Sequence, residues 1–193
     1  GQYGQPDSAM IDEDTPMVPR DPQGVHKVAA ESHFRVYAGL WGLDVTSLRL
    51  PNCYGPGQPV AEKDIGLVGG FIRDLLAGRV VEIYGGERVR YLGSAADVAT
   101  VVGGLVQLKS EGFRAYNYAG HKVTLGELVK MLRDIIGQGD WVDEPMPSEI
   151  GATDTGDAVF SDSRLRQVLP DFTQTNLADA LSETVEYFRE SVR

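Results

Sequence analysis

Val45-Thr46-Ser47-Leu48-Arg49-Leu50, followed at once by Pro51-Asn52-Cys53-Tyr54-Gly55-Pro56-Gly57, is the stretch on which the fold turns. The first part reads as a short strand, and the second, dense in proline and glycine, as a loop that cannot be regular. Upstream, Asp21-Pro22 makes a helix start, with Asp as N-cap and Pro at the first helical position. That helix is predicted to run to about Gly42. It carries two apolar stripes, Val25, Ala29, Val36 and Leu40 on one and Ala30, Phe34, Tyr37 and Trp41 on the other. Two stripes predict packing on two sides, against its own sheet and against a second helix layer or a partner subunit.

Downstream, Ile65 to Ala77 has a helical repeat with Ile65, Val68, Ile72, Leu75 and Leu76 inward and Gly78 as its stop. Val80 to Tyr84 and Arg88 to Leu92 flank Gly85-Gly86 and predict a hairpin. Ser94 with Asp97, and Thr124 with Glu127, have capping-box spacing and open two further helices, with a strand from Ala115 to Tyr118 between them. A short helix around Ser163 to Leu169 and a longer one from Asn176 close the chain. The first twenty residues, with Pro6, Pro16 and Pro19, read as an irregular arm ahead of the body at 21–193. The pattern is α/β, with a sheet small for its helices.

Composition excludes several function classes. The 193 residues carry 28 acidic and 18 basic side chains, a net charge of −10. Such a surface repels nucleic acid and anionic membranes, which are bound through Lys and Arg. No apolar run is long enough to span a bilayer, and no segment reads as a signal peptide. The single cysteine, Cys53, cannot form an internal disulfide, and a cytoplasmic location is expected. Cys53 itself is expected to be buried, and His33 and His121 to lie at the surface. From Asp140 to Asp157 six carboxylates (Asp140, Asp143, Glu144, Glu149, Asp154, Asp157) stand without Lys or Arg, and read as a solvated acidic loop. No His, Cys or carboxylate spacing supports a metal site.

Several motifs, in order, resemble the extended short-chain dehydrogenase/reductases of the NAD-dependent epimerase/dehydratase family, which act on nucleotide sugars. Tyr3-Gly4 and Ile11 to Pro16 are similar to the stretch after that family's catalytic Ser/Thr strand. Gln23 to Lys27 sits where the family has its Tyr-x-x-x-Lys helix, and Leu48 to Gly57 resembles its strand and loop ending in Tyr-Gly-Pro-Gly. Arg90 through Ala99, Tyr116 to Gly120, Thr124 to Leu128, Asp162-Ser163 and Leu177 to Leu181 complete the pattern. The resemblance implies the C-terminal portion of a Rossmann-like fold without its N-terminal dinucleotide-binding strands. No Gly-x-Gly-x-x-Gly turn follows a strand here; Gly66-Leu67-Val68-Gly69-Gly70 lies inside a helix. NAD is the cofactor the resemblance implies, and this chain is expected not to bind it alone.

The same resemblance assigns residues. Lys27 and Pro51 stand at the cofactor, and Asn52, Tyr54 and Arg90 at the substrate, where the arginine fork suits a diphosphate; Arg88, two residues before Arg90 and so on the same face of its strand, could assist. The catalytic tyrosine is replaced by Gln23, whose carboxamide does not ionise near neutral pH, which argues against redox activity. His26 titrates in the right range, but adjacent helical residues point about 100° apart, and it is not expected to take the place of Gln23. Tyr3 and Tyr54 could approach the site. Three functions follow: the substrate half of a nucleotide-sugar epimerase or dehydratase, a cofactor-independent isomerase or lyase, and a non-catalytic binding subunit. An exposed strand edge at Val45 to Leu50 and an uncovered helix face predict a homodimer or a complex with a missing N-terminal half.

Overall fold

The computed structural model describes residues 1–6, 10–58, 66–108, 111–147 and 158–191. Ile65, Glu149, Asp154 and Asp157 lie outside the described residues. Two compact units share the chain. The first comprises Gly1–Leu50, Thr100–Ala119 and Ser148–Phe172, and the second Pro51–Ala99, Gly120–Pro147 and Thr173–Arg193.

In the first unit the helix α1, Pro22–Trp41, starts as its sequence requires: the Asp21 side chain accepts from the Gly24 amide at 2.7 Å, and Gly42 closes it in the left-handed region at φ 61°. The strand β1, Met10–Ile11, leads into an Asx turn in which Asp12 accepts from the amides of Asp14 and Thr15. The strand β2, Val45–Arg49, pairs in parallel with β6, Phe113–Asn117, and with no other strand among the described residues. β1 pairs in parallel with β9, Val159–Phe160. The short helix α5, Ser163–Val168, buries Leu165. Thr100 onward in the helix α3, Ala95–Gln107, also belongs to this unit and buries Val101 and Leu105.

α1 departs from the expected packing. Its buried residues are Gly24, Glu31 and Ala38, one per two turns, while Val25, Phe34, Val36, Tyr37, Leu40 and Trp41 are exposed. The face that meets β2 is therefore small and charged rather than apolar. Glu31 holds it there through Arg49 on β2.

The second unit holds the three-stranded sheet β3–β5–β7, made of Asn52–Tyr54, Val89–Ser94 and His121–Thr124. β3 runs parallel to β5, and β7 antiparallel to it. A separate parallel pair joins β4, Val80–Tyr84, to β8, Asp140–Glu144. The helices α2 (Leu67–Leu76), α4 (Leu125–Ile136) and α6 (Leu177–Ser191) cover a core of Ile72, Leu75, Ile83, Leu92, Leu128, Leu132, Leu181 and Phe188. Both halves of the Thr124–Glu127 capping box form.

Three expectations are corrected here. Residues 52–54, read as irregular, form β3, because their backbone pairs with Leu92–Ser94. The hairpin across Gly85-Gly86 does not form: β4 and β5 each find other partners, and the turn is held by Asp143. The start of the acidic loop is instead the strand β8, whose Trp141 packs on the core while its neighbours stay exposed.

Candidate functional site

In the first unit, Gln23, His26 and Lys27 occupy the opening turns of α1, and all three are exposed. Their turn is set from both ends. Gly24 is pressed against the chain at Gly1 and Pro19, where a Cβ would stand 2.7 Å from the Gly1 carbonyl oxygen and 2.8 Å from Pro19 Cβ. Two turns on, Glu31 takes a two-pronged bond from Arg49, with Nε donating to Oε2 at 3.0 Å and Nη2 to Oε1, while Ser47 Oγ donates to Oε2 at 2.9 Å.

Arg49 carries this network further. Its Nη1 donates to the Tyr3 hydroxyl at 2.6 Å and to the Glu13 carbonyl at 3.1 Å, and Tyr3 donates in turn to Asn117 Oδ1 at 2.6 Å. The Asn117 backbone N–H donates to Glu13 Oε1 at 2.7 Å. Tyr3, Glu13, Glu31, Arg49 and Asn117 are all buried. Tyr3 is thus a structural member of a closed network. Burial pushes its phenol above the ordinary value against the opposing pull of Arg49, so it is poorly suited to act as a base.

In the second unit, register brings the expected substrate residues together. Asn52 stands beside Leu92 in the parallel pair, and Arg90 lies two residues before Leu92 on β5, opposite Val123. Partners share a face and alternate residues return to it, so Asn52, Tyr54, Arg90 and Leu92 line one face. Asn52 is exposed, Arg90 half-buried, and Tyr54 and Leu92 buried. Arg90 Nη1 donates to the Val89 carbonyl at 2.6 Å, and Arg88 Nη1 to the Tyr84 carbonyl at 2.9 Å. Pro51 is half-buried, its ring against Gly120.

Tyr54 is 2% exposed, and its hydroxyl has no hydrogen-bond partner among the described residues. Burial, and then the nearby Asp97 carboxylate, push its phenol well above the ordinary range. It packs; it does not offer a proton acceptor at neutral pH. Asp97 itself accepts from the Thr175 amide and hydroxyl at 3.2 and 2.7 Å, and the Thr175 carbonyl lies 2.7 Å from His121 Nε2. Cys53, expected buried, is exposed, because alternate residues of β3 face away from the core.

Sequence reasoning missed Glu31, Glu13 and Asp143. Each is a carboxylate whose partner lies on a distant segment, and no local spacing announces it. Among the described residues no group of three His, Cys, Asp or Glu side chains could hold a metal ion. Among the described residues the strand-to-helix connections after β1, β5, β7 and β9 present no glycine-rich cradle to a dinucleotide pyrophosphate. Lys27, the residue the resemblance sets at the cofactor, stands exposed on α1, and no such cradle accompanies it among the described residues.

The model of the NAD dependent epimerase/dehydratase family matches residues 1–119. A UDP-glucose 4-epimerase of Mycolicibacterium smegmatis is 31% identical over 194 residues, covering 97% of this chain and 59% of its own length. Among solved structures, a UDP-glucose 4-epimerase from Thermotoga maritima with UDP-glucose aligns at a TM-score of 0.84 and 27% identity, over 99% of this chain and 61% of that one. The UDP-glucose 4-epimerase of Thermus thermophilus in complex with NAD aligns at 0.79 and 26% identity, over 97% and 60%. The chain spans about three fifths of the length of these relatives.

Proposed function

Because this chain belongs to the NAD dependent epimerase/dehydratase family, we propose that its second unit binds a nucleotide sugar and that the redox step of the family is lost at Gln23. The observation that carries the binding half is the register, which sets Asn52 and Arg90 on one face of adjacent strands. An amide at the rim and a guanidinium beside it can together hold a diphosphate, the arginine by paired hydrogen bonds. Support from outside the chain is that a relative of the same fold was solved with UDP-glucose.

Loss of redox chemistry rests on acid–base capacity. Hydride transfer from a sugar carbon needs a group to take the hydroxyl proton. Gln23 cannot ionise, and burial puts both Tyr3 and Tyr54 further from ionisation than a free phenol. This favours a second reading, a cofactor-independent isomerase or lyase or a binding subunit, over an intact oxidoreductive epimerase. The test is calorimetric titration of UDP-glucose into the chain and into Arg90→Ala. Saturable binding that weakens on the order of tenfold or more in the variant supports the reading. Equal affinity of the two, or no binding to either, refutes it.

A further inference from the structure

The turn between β4 and β5 offers two backbone amides to one carboxylate. Gly85 N–H donates to Asp143 Oδ1 at 2.9 Å, and Gly86 N–H donates to Asp143 Oδ2 at 2.8 Å. Gly85 sits at φ 74°, and successive amides turned the same way make a concavity that suits an anion. The seat is close-fitting: a Cβ on Gly86 would stand 2.7 Å from Asp143 Oδ2. It is also next to the proposed substrate arginines. The Arg88 side chain lies over Gly85, with Cδ 2.9 Å from where a Cβ would be, and Arg90 follows two residues on.

We propose that Asp143 is a specificity-determining residue, which fills this anion seat with the chain's own carboxylate and so limits the negative charge a ligand can bring to Arg88 and Arg90. The inference rests on the nucleotide-sugar reading of that face. A phosphate arriving there meets two amides already saturated and a fixed negative charge on the turn that Arg88 covers. Selectivity of this kind comes from repulsion as much as attraction. A ligand with a single charge, or with its charge spread over a diester-like linkage, suffers less than one with a terminal phosphate. The site therefore favours a nucleotide sugar, whose diphosphate is esterified at both ends, over the free nucleoside diphosphate.

The experiment is a titration of wild-type chain, Asp143→Asn and Glu144→Gln with UDP-glucose, UDP and inorganic pyrophosphate, with thermal unfolding to confirm that each is folded. Glu144 is exposed on the same strand and removes a charge without touching the seat. Asp143→Asn is expected to tighten UDP and pyrophosphate on the order of tenfold while UDP-glucose changes by less than about threefold, and Glu144→Gln to leave all three within about twofold. If wild type binds UDP-glucose but Asp143→Asn binds UDP no more tightly, or Glu144→Gln matches it, Asp143 is not the selector and the binding reading survives. If no chain binds any of the three, both fall. Pyrophosphate binding gained only by Asp143→Asn, without UDP-glucose binding to either, would remove the nucleotide-sugar reading and with it the selectivity assigned to Asp143. Should Asp143→Asn fail to fold, Asp143→Ser supplies the same comparison.

Discussion

Glu31 and Arg49 are 4% and 8% exposed, and each would be costly to bury alone. Together they are satisfied: the guanidinium reaches Glu31, the Tyr3 hydroxyl and the Glu13 carbonyl, and the carboxylate takes Ser47 as well. Removing one partner leaves the other charge buried, which typically costs about 3–5 kcal/mol. Arg49→Met should lower the urea midpoint accordingly, and a loss within about 0.5 kcal/mol would show the pair to be ornamental. The pair also fixes a pH dependence. Burial alone would raise the Glu31 pKa, but hydrogen bonds from Arg49 and Ser47 hold it below the ordinary 4.5. A carboxyl lowered by folding stabilises fully above its ordinary value and loses that contribution as pH falls through the folded one. The stability gap between wild type and Glu31→Gln should therefore be widest at neutral pH and close below pH 4.5. A gap that widens in acid would contradict this assignment.

Among the elements, the caps and the helices were legible and the sheet pairings were not. Asp21-Pro22, Thr124 with Glu127, and Gly42 each act within a few residues of chain, so their signals are local and survive in the structure. Thr124→Ala should cost about 1 kcal/mol by urea unfolding, through the lost cap on Glu127 N–H. β3, β7 and β8 carry no local signal, because they are three to five residues long and are strands only through distant partners. The Gly85-Gly86 turn has the composition of a hairpin, yet its amides answer to Asp143, 57 residues away from Gly86. α1 misleads in the opposite sense: its apolar stripes are real, but the face against β2 is chosen by Glu31. The connection from β6 to β7 is narrower than its sequence suggests. Gly120 has φ 71°, and a Cβ there would stand 2.2 Å from the Leu92 carbonyl oxygen. Gly120→Ala should destabilise by more than the roughly 1–3 kcal/mol of backbone strain alone, measured by the same unfolding curve.

For the whole molecule, what the family resemblance supplied was the set of candidate residues, and what the structure added was which of them share a face. Asn52, Tyr54 and Arg90 come together on one sheet of the second unit, with Tyr54 as packing, while Gln23, His26 and Lys27 stand exposed on α1 in the first. α1 also leaves Leu40 and Trp41 at 68% and 63% exposure. That exposure is what motivates the expectation of a homodimer through α1 or a complex with a missing N-terminal half. Sedimentation at micromolar concentration should show association that Leu40→Glu with Trp41→Glu abolishes; a monomeric wild type would count against it. The proposed nucleotide-sugar site is tested most directly by residue-resolved amide shifts of the ¹⁵N-labelled chain on addition of UDP-glucose. Saturable shifts centred on Asn52 and on Val89 to Leu92 are expected, with Gln23 to Lys27 unmoved by NAD⁺ added afterwards. Shifts absent from β3 and β5, or a saturable NAD⁺ response along α1, would contradict that expectation.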